Sequence, residues 1–171
     1  MSRATDELLT FLRRLRAVKE YTPDPVPQGA IEDILEVGRW SASGGNRQPW
    51  AVVVVRDPQV KEQFGAWGAR PAATAAVALL LVTASEAAAF DEGRLAERLC
   101  LAAAAHGLGA TVATLKGEGP AAAKRLLGIP GDRRAVTVVA LGHTDVAARS
   151  ARPRNPQPRK PMAEFAHWDR F

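Results

Sequence analysis

Apolar positions recur every three to four residues at the start of the chain. Leu8, Leu9, Phe11, Leu12 and Leu15 form one face of a helix predicted over residues 5–17, with Arg13, Arg14 and Arg16 near its end. The run Tyr21-Thr22-Pro23-Asp24-Pro25-Val26-Pro27 cannot continue it, because proline fixes φ and removes a donor. A second helix is predicted over residues 28–40 on the stripe Ile31, Ile34, Leu35 and Val37. After a polar loop at 41–50 the pattern becomes a continuous β-branched run, residues 51–55, which predicts a strand buried on both faces. Asp57-Pro58 ends that run, and residues 59–67 read as a short amphipathic helix.

A second buried strand is predicted at 77–83. Residues 91–106 form a long Leu- and Ala-rich helix whose small side chains allow close helix approach, which places it centrally and at a subunit interface. Gly107-Leu108-Gly109 caps it. Strand-like residues 110–115, a short helix at 121–127 stopped by Gly128-Ile129-Pro130, and a further buried strand at 135–141 complete the pattern. From residue 144 onward periodicity fades into Arg, Pro and Asn, yet Phe165, His167, Trp168 and Phe171 are too aromatic for a solvent tail. They are expected to pack on a surface such as a partner subunit. The order of elements gives α+β, with about four strands and helices on both faces of the sheet. The 171 residues suit one domain over 1–171, with 144–171 as an arm.

Composition narrows the function. Apolar residues at 47% and charged residues at 24% exclude a disordered chain. The net charge of +5 leaves two readings, a nucleic acid or an anionic small molecule. Basic residues gather near both ends: Arg13, Arg14, Arg16 and Lys19, then Arg149, Arg152, Arg154, Arg159 and Lys160. With only 6% aromatics there is no stacking platform, so a phosphate-bearing ligand is favoured and no nucleic-acid partner is expected. Cys100 is alone, which excludes an intramolecular disulfide, and it reads as a packing residue. His106, His143 and His167 lack metal-ligand spacing, so no metal is expected. Residues 72–84 are too short and too rich in alanine to span a bilayer, and no signal-type run opens the chain. A cytoplasmic protein without membrane contact is expected.

The loop at 41–50 carries the most chemistry. Its glycines let backbone approach a ligand closely, and Ser43, Asn46 and Gln48 add donors and acceptors that suit the edge of a heterocycle such as a flavin pyrimidine. The same side chains would equally satisfy the loop's own backbone. Arg16 and Lys19 either complement a helix end or clamp a phosphate or a flavin edge. Arg159-Lys160 in the tail is solvated unless the tail folds back onto the same ligand. There is no P-loop and no G-x-S-x-G, and Gly107-Leu108-Gly109 lacks the rest of a dinucleotide fingerprint. Any nicotinamide is therefore a visiting substrate.

Taken in order, these segments resemble the nitroreductase family of FMN enzymes. The resemblance rests on Leu15-Arg16-Ala17-Val18-Lys19-Glu20-Tyr21 with Pro25-Val26-Pro27, and on residues 41–50 with the valine strand. It continues through Gly107-Leu108-Gly109, Leu126-Leu127-Gly128-Ile129-Pro130, Arg159-Lys160-Pro161 and His167-Trp168. It implies a three-layer α/β/α sandwich with a mainly antiparallel central sheet, in an intertwined homodimer with two FMN sites at the interface. Arg159 would then hold the FMN phosphate, joined by Arg16, with Ala17 beside it among the cofactor-binding residues, and Lys19 would lie at the flavin N1/O2 edge. Ala42, Ser43, Gly44, Asn46 and Gln48 of the other subunit would contact the ring or ribityl chain. Val112, Ala113, Thr114 and Leu115 would line the opposite ring face.

The implied reaction is ping-pong transfer of two electrons from NAD(P)H to a nitroaromatic, quinone or similar small acceptor. Flavin N5 carries the chemistry, so no side chain need act as acid or base. The chain departs from the family pattern at Leu15 and Ala17, where an arginine and a serine usually help hold the phosphate. The compact segment between Asp57 and Thr74 predicts a more open pocket. Three other readings stay open: a related flavin enzyme with another reaction (oxygen-dependent flavin fragmentation, azoline dehydrogenation, deazaflavin use), a non-enzymatic flavin binder, and a basic nucleic-acid-binding module.

Overall fold

A computed structural model describes residues 2–152 and 157–171. Residues 153–156, with Arg154 of the late basic cluster, lie outside the described residues. The helices are α1 (Arg3–Arg14), α2 (Gln28–Arg39), α3 (Pro58–Ala66), α4 (Ala89–Ala105), α5 (Gly119–Leu127), α6 (Val146–Ala151) and α7 (Met162–Phe165). The strands are β1 (Trp50–Val55), β2 (Val77–Thr83), β3 (Gly109–Thr114) and β4 (Arg134–Gly142). They pair antiparallel throughout in the order β1-β2-β4-β3.

Strand periodicity explains the layers. In β2, Val77, Leu79 and Leu81 face one side while Ala78, Leu80 and Val82 face the other. β4 divides in the same way, with Val139 and Leu141 on the first side and Val138 and Ala140 on the second. The first face packs Ile31 and Ile34 of α2 with Leu95, Leu99 and Ala103 of α4. The second packs Phe64 of α3 and Ala123 of α5. The result is the three-layer α/β/α arrangement expected from the sequence. Gly38 of α2 fits against α4 because a Cβ there would lie 2.6 Å from Leu99 Cδ2. Gly107 at φ 72° turns the chain from α4 into β3.

β1 is not buried on both faces: it is a sheet edge, with Ala51 and Val54 exposed, because only β2 flanks it. A run of valines has the same pattern at an edge as at the centre. The apolar face of α1 is left open, with no buried residue on the helix, and Leu8 and Leu12 remain 58% and 42% exposed. A cavity of about 960 Å³ separates α1 from Val18, Cys100, Ala104 and Leu108. In the arm, α6 and α7 bury nothing, and Met162, Phe165, Trp168 and Phe171 are exposed. Among the described residues these apolar side chains find no cover.

Candidate functional site

The extended segment after α1 is fastened to the far edge of the sheet. Val18 N–H donates to the Ala110 carbonyl at 2.9 Å, Thr22 N–H to His143 at 2.9 Å, and Asp145 N–H to Glu20 at 3.0 Å. The buried Tyr21 hydroxyl lies 2.6 Å from the Val18 carbonyl and 2.9 Å from that of Ala140, and donates its one proton between them. Burial raises its pKa far above the ordinary phenol range. β3 accepts the segment closely because residue 109 is glycine: a Cβ there would stand 2.6 Å from Val18 Cγ1. This packing presents Lys19 beside Val112, Ala113 and Thr114 at a cavity of about 510 Å³. A second cavity of about 340 Å³, lined by Leu15, Arg16, Ala17, Thr111 and Val112, meets it at Val112. Together they make a trough along β3.

Most of the residues expected on the first-segment side thus come together. Arg16, Ala17, Lys19, Val112, Ala113 and Thr114 line the trough. Leu115 does not: its side chain is 2% exposed and packs in the core. The Arg16 guanidinium turns back to donate to the carbonyls of Arg13 at 2.7 Å and Leu15 at 2.6 Å, which is the helix-end role. Sequence reasoning missed Arg70 and Lys116 on the trough, and it counted Arg152, the third further cation there, only within the late basic cluster. Lys116 directly follows the residues expected to line the ring, so extending that stretch by one position would have found it. Arg70 and Arg152 are brought in by tertiary folding alone. Glu20 is the one carboxylate lining the 510 Å³ cavity, and Glu97 lines the 340 Å³ one; Glu20 accepts from Arg152 at 3.0 Å and from Lys19 N–H at 3.3 Å.

The 41–50 loop is a separate group. Ser43 Oγ accepts from Gln48 N–H at 2.9 Å, Gly44 N–H donates to Asp91 Oδ2 at 3.3 Å, and Gln48 Nε2 donates to the Asn46 carbonyl at 3.3 Å. Asn46 and Gln48 hold φ of 54° and 47°, a region that non-glycine residues seldom occupy and that functional loops retain. Ala42, Gly44, Asn46 and Gln48 stay exposed. Below the loop, Glu92 is buried against Arg134, which also meets Glu86 at 2.6 Å. The registers Trp50–Thr83, Thr83–Arg134 and Thr137–Thr114 put the loop and the end of β3 at the same end of the sheet but on opposite edges. Three strand spacings separate those edges, about 14 Å. One chain therefore holds the two halves of the expected site apart. Arg159, in the arm, is exposed and lines neither cavity.

Cys100 sits at the other end of the trough, where burial pushes its thiol up to about 12 with a smaller push from Glu97. His106 ends α4 with Nε2 3.4 Å from Asp33, a structural position rather than a ligand's. Among the described residues no group of three His, Cys, Asp or Glu could hold a metal ion, and no helix is long and apolar enough to cross a membrane.

Comparison with known proteins agrees with this fold. Residues 12–87 match the Nitroreductase family model. An NADH dehydrogenase of Thermus thermophilus is 39% identical over 74 residues, 42% of this chain and 36% of the relative, so the match spans only part of that protein. An Archaeoglobus fulgidus protein, named as an NADH dehydrogenase/NAD(P)H nitroreductase, is 28% identical over 149 residues, covering 81% of this chain and 86% of that one. The solved structure of an FMN-dependent nitroreductase from Clostridium difficile superposes with a TM-score of 0.80 at 16% identity. It covers 95% of this chain and 99% of that one, and so shares the fold.

Proposed function

Since the chain belongs to the nitroreductase family, we propose that it is a cytoplasmic FMN oxidoreductase. It works as a homodimer and passes two electrons from NAD(P)H to a nitroaromatic, quinone or similar small acceptor. The carrying observation is the trough along β3, where tertiary hydrogen bonds hold Lys19 against Val112, Ala113 and Thr114.

The residues present fit the cofactor. An apolar strand offers a face for the ring and Lys19 a cation for its edge. Thr111, Ala17 and Arg16 continue the trough toward where the phosphate would lie. Leu15 and Ala17 contribute no charge there, so the phosphate depends on Arg159 of the arm and on Arg16 releasing its helix-end carbonyls. When bound, FMN supplies the two-electron chemistry at N5. Lys19 would hold the negative charge that gathers at the N1/O2 edge, and the apolar strand would keep water from one ring face. Residues 42–48 of a second copy would close the other side, with the 144–171 arm packed across the subunits.

Purified protein should be yellow, with one FMN per chain, sediment as a dimer, and oxidise NADH or NADPH with menadione or a nitroarene. Colourless protein retained on DNA in a salt-sensitive way would overturn the reading. Colour without NAD(P)H oxidation would reduce it to flavin binding. Lys19→Met should slow reduction by NADPH about 10²-fold in stopped flow; an unchanged rate removes Lys19 from the chemistry.

A further inference from the structure

We propose that Arg70 and Lys116 form an anion-recognising end of this site. They select a compact acceptor that carries an acidic group, such as a carboxylated aromatic. The inference rests on the flavin reading and adds a substrate class to it.

Four cations, Lys19, Arg70, Lys116 and Arg152, line the 510 Å³ cavity against the single carboxylate of Glu20. Glu20 is already engaged by Arg152. Among the described residues no ion pair involves Arg70 or Lys116. Both are held at the root. Lys116 N–H donates to the Trp67 carbonyl at 2.7 Å, and its stem lies over Gly68, where a Cβ would be 3.0 Å from Lys116 Cγ. Arg70 stands between the buried Ala69 and Pro71 at the start of a tight turn, Arg70–Ala73. Positioned, unneutralised cations beside an apolar wall focus a field that draws an anion in.

The cofactor's own phosphate is a poor occupant. The trough end lined by Leu15, Arg16 and Ala17 meets β3 at Thr111, five residues before Lys116. At strand rise that is about 17 Å away. The additional phosphate of NADPH is also poorly placed, because it sits on the far ribose, outside a space of this size. An acidic group on a molecule lying over the ring strand is within reach of both cations.

Benzoate and benzamide test this directly, since they share a shape and differ in charge and neither accepts electrons. Isothermal calorimetry on the FMN-loaded protein should show benzoate binding about tenfold tighter than benzamide, as expected for a charge-assisted contact. In Arg70→Gln/Lys116→Gln that preference should fall below twofold while FMN per chain stays the same. Arg70→Lys/Lys116→Arg should restore it. Equal affinities in the wild-type protein, or a preference that survives the double substitution, overturns the proposal. Loss of FMN from the double variant also overturns it, because the two cations would then be holding the cofactor. Calorimetry needs no flavin signal. If the wild-type protein binds no FMN the functional reading fails, and the benzoate ratio still decides whether the cation site exists.

Discussion

Tyr21 shows how much of the site hangs on one hydroxyl. Its proton serves two buried carbonyls, Val18 on the Lys19 segment and Ala140 on β4. Tyr21→Phe should cost about 1–3 kcal/mol in urea unfolding, the range for leaving buried acceptors unserved, and should weaken FMN retention in the same preparation. Cys100 gives a second test. Unfolded, its thiol ionises near 9; folded, it keeps its proton to about 12. The folded chain thus binds the extra proton across that window, so stability is full below pH 9 and drains away as pH rises toward 12. Urea midpoints at pH 8 and pH 10.5 should differ less in Cys100→Ala than in the wild type, and the thiol should resist disulfide reagents at pH 8. Lys19 was legible as a site residue only through the family resemblance, because its spacing alone suits a helix-end cation equally well. Tyr21 was not legible as an anchor, since its two acceptors come from segments that meet only after folding. Arg16 could be read both ways, and the helix-end carbonyls hold it in this chain.

Helices and strands were legible wherever one residue pattern has one outcome. β2 and β4 are uniformly apolar and lie at the sheet centre, while the valines of β1 look the same and lie at an edge. Gly109 was read as part of a helix cap, and Gly107 alone supplies that turn. Gly109 instead lets the Lys19 segment touch β3, so Gly109→Ala must push Val18 outward. We expect it to lower the melting temperature and the FMN affinity together, whereas Gly93→Ala, with open space around its Cβ position, should do neither. The buried pair of Glu92 on α4 and Arg134 on β4 ties helix to sheet beneath the 41–50 loop. Arg134→Met strands a buried carboxylate and should cost about 3 kcal/mol, while Arg134→Met with Glu92→Gln should recover much of it. Urea denaturation of these two variants, of Glu92→Gln alone and of the wild type completes the cycle and measures the coupling.

Taken as a unit, the chain leaves an open flank on α1, an aromatic arm without cover, and a site in two pieces about 14 Å apart. The fold class was readable from periodicity, but the division of the site was readable only through family resemblance, because strand order is not written in local pattern. Removing residues 157–171 should shift the protein toward monomer in sedimentation velocity and release flavin. The sheet order also has a genetic corollary. Where each pocket borrows its loop from one chain and its lysine from the other, two crippled alleles can rescue each other. A mixed dimer of Lys19→Met and a loop-deleted chain concentrates both lesions in one pocket and leaves the other whole. Coexpression should return up to half of wild-type turnover per mixed dimer, from two parents that each have almost none.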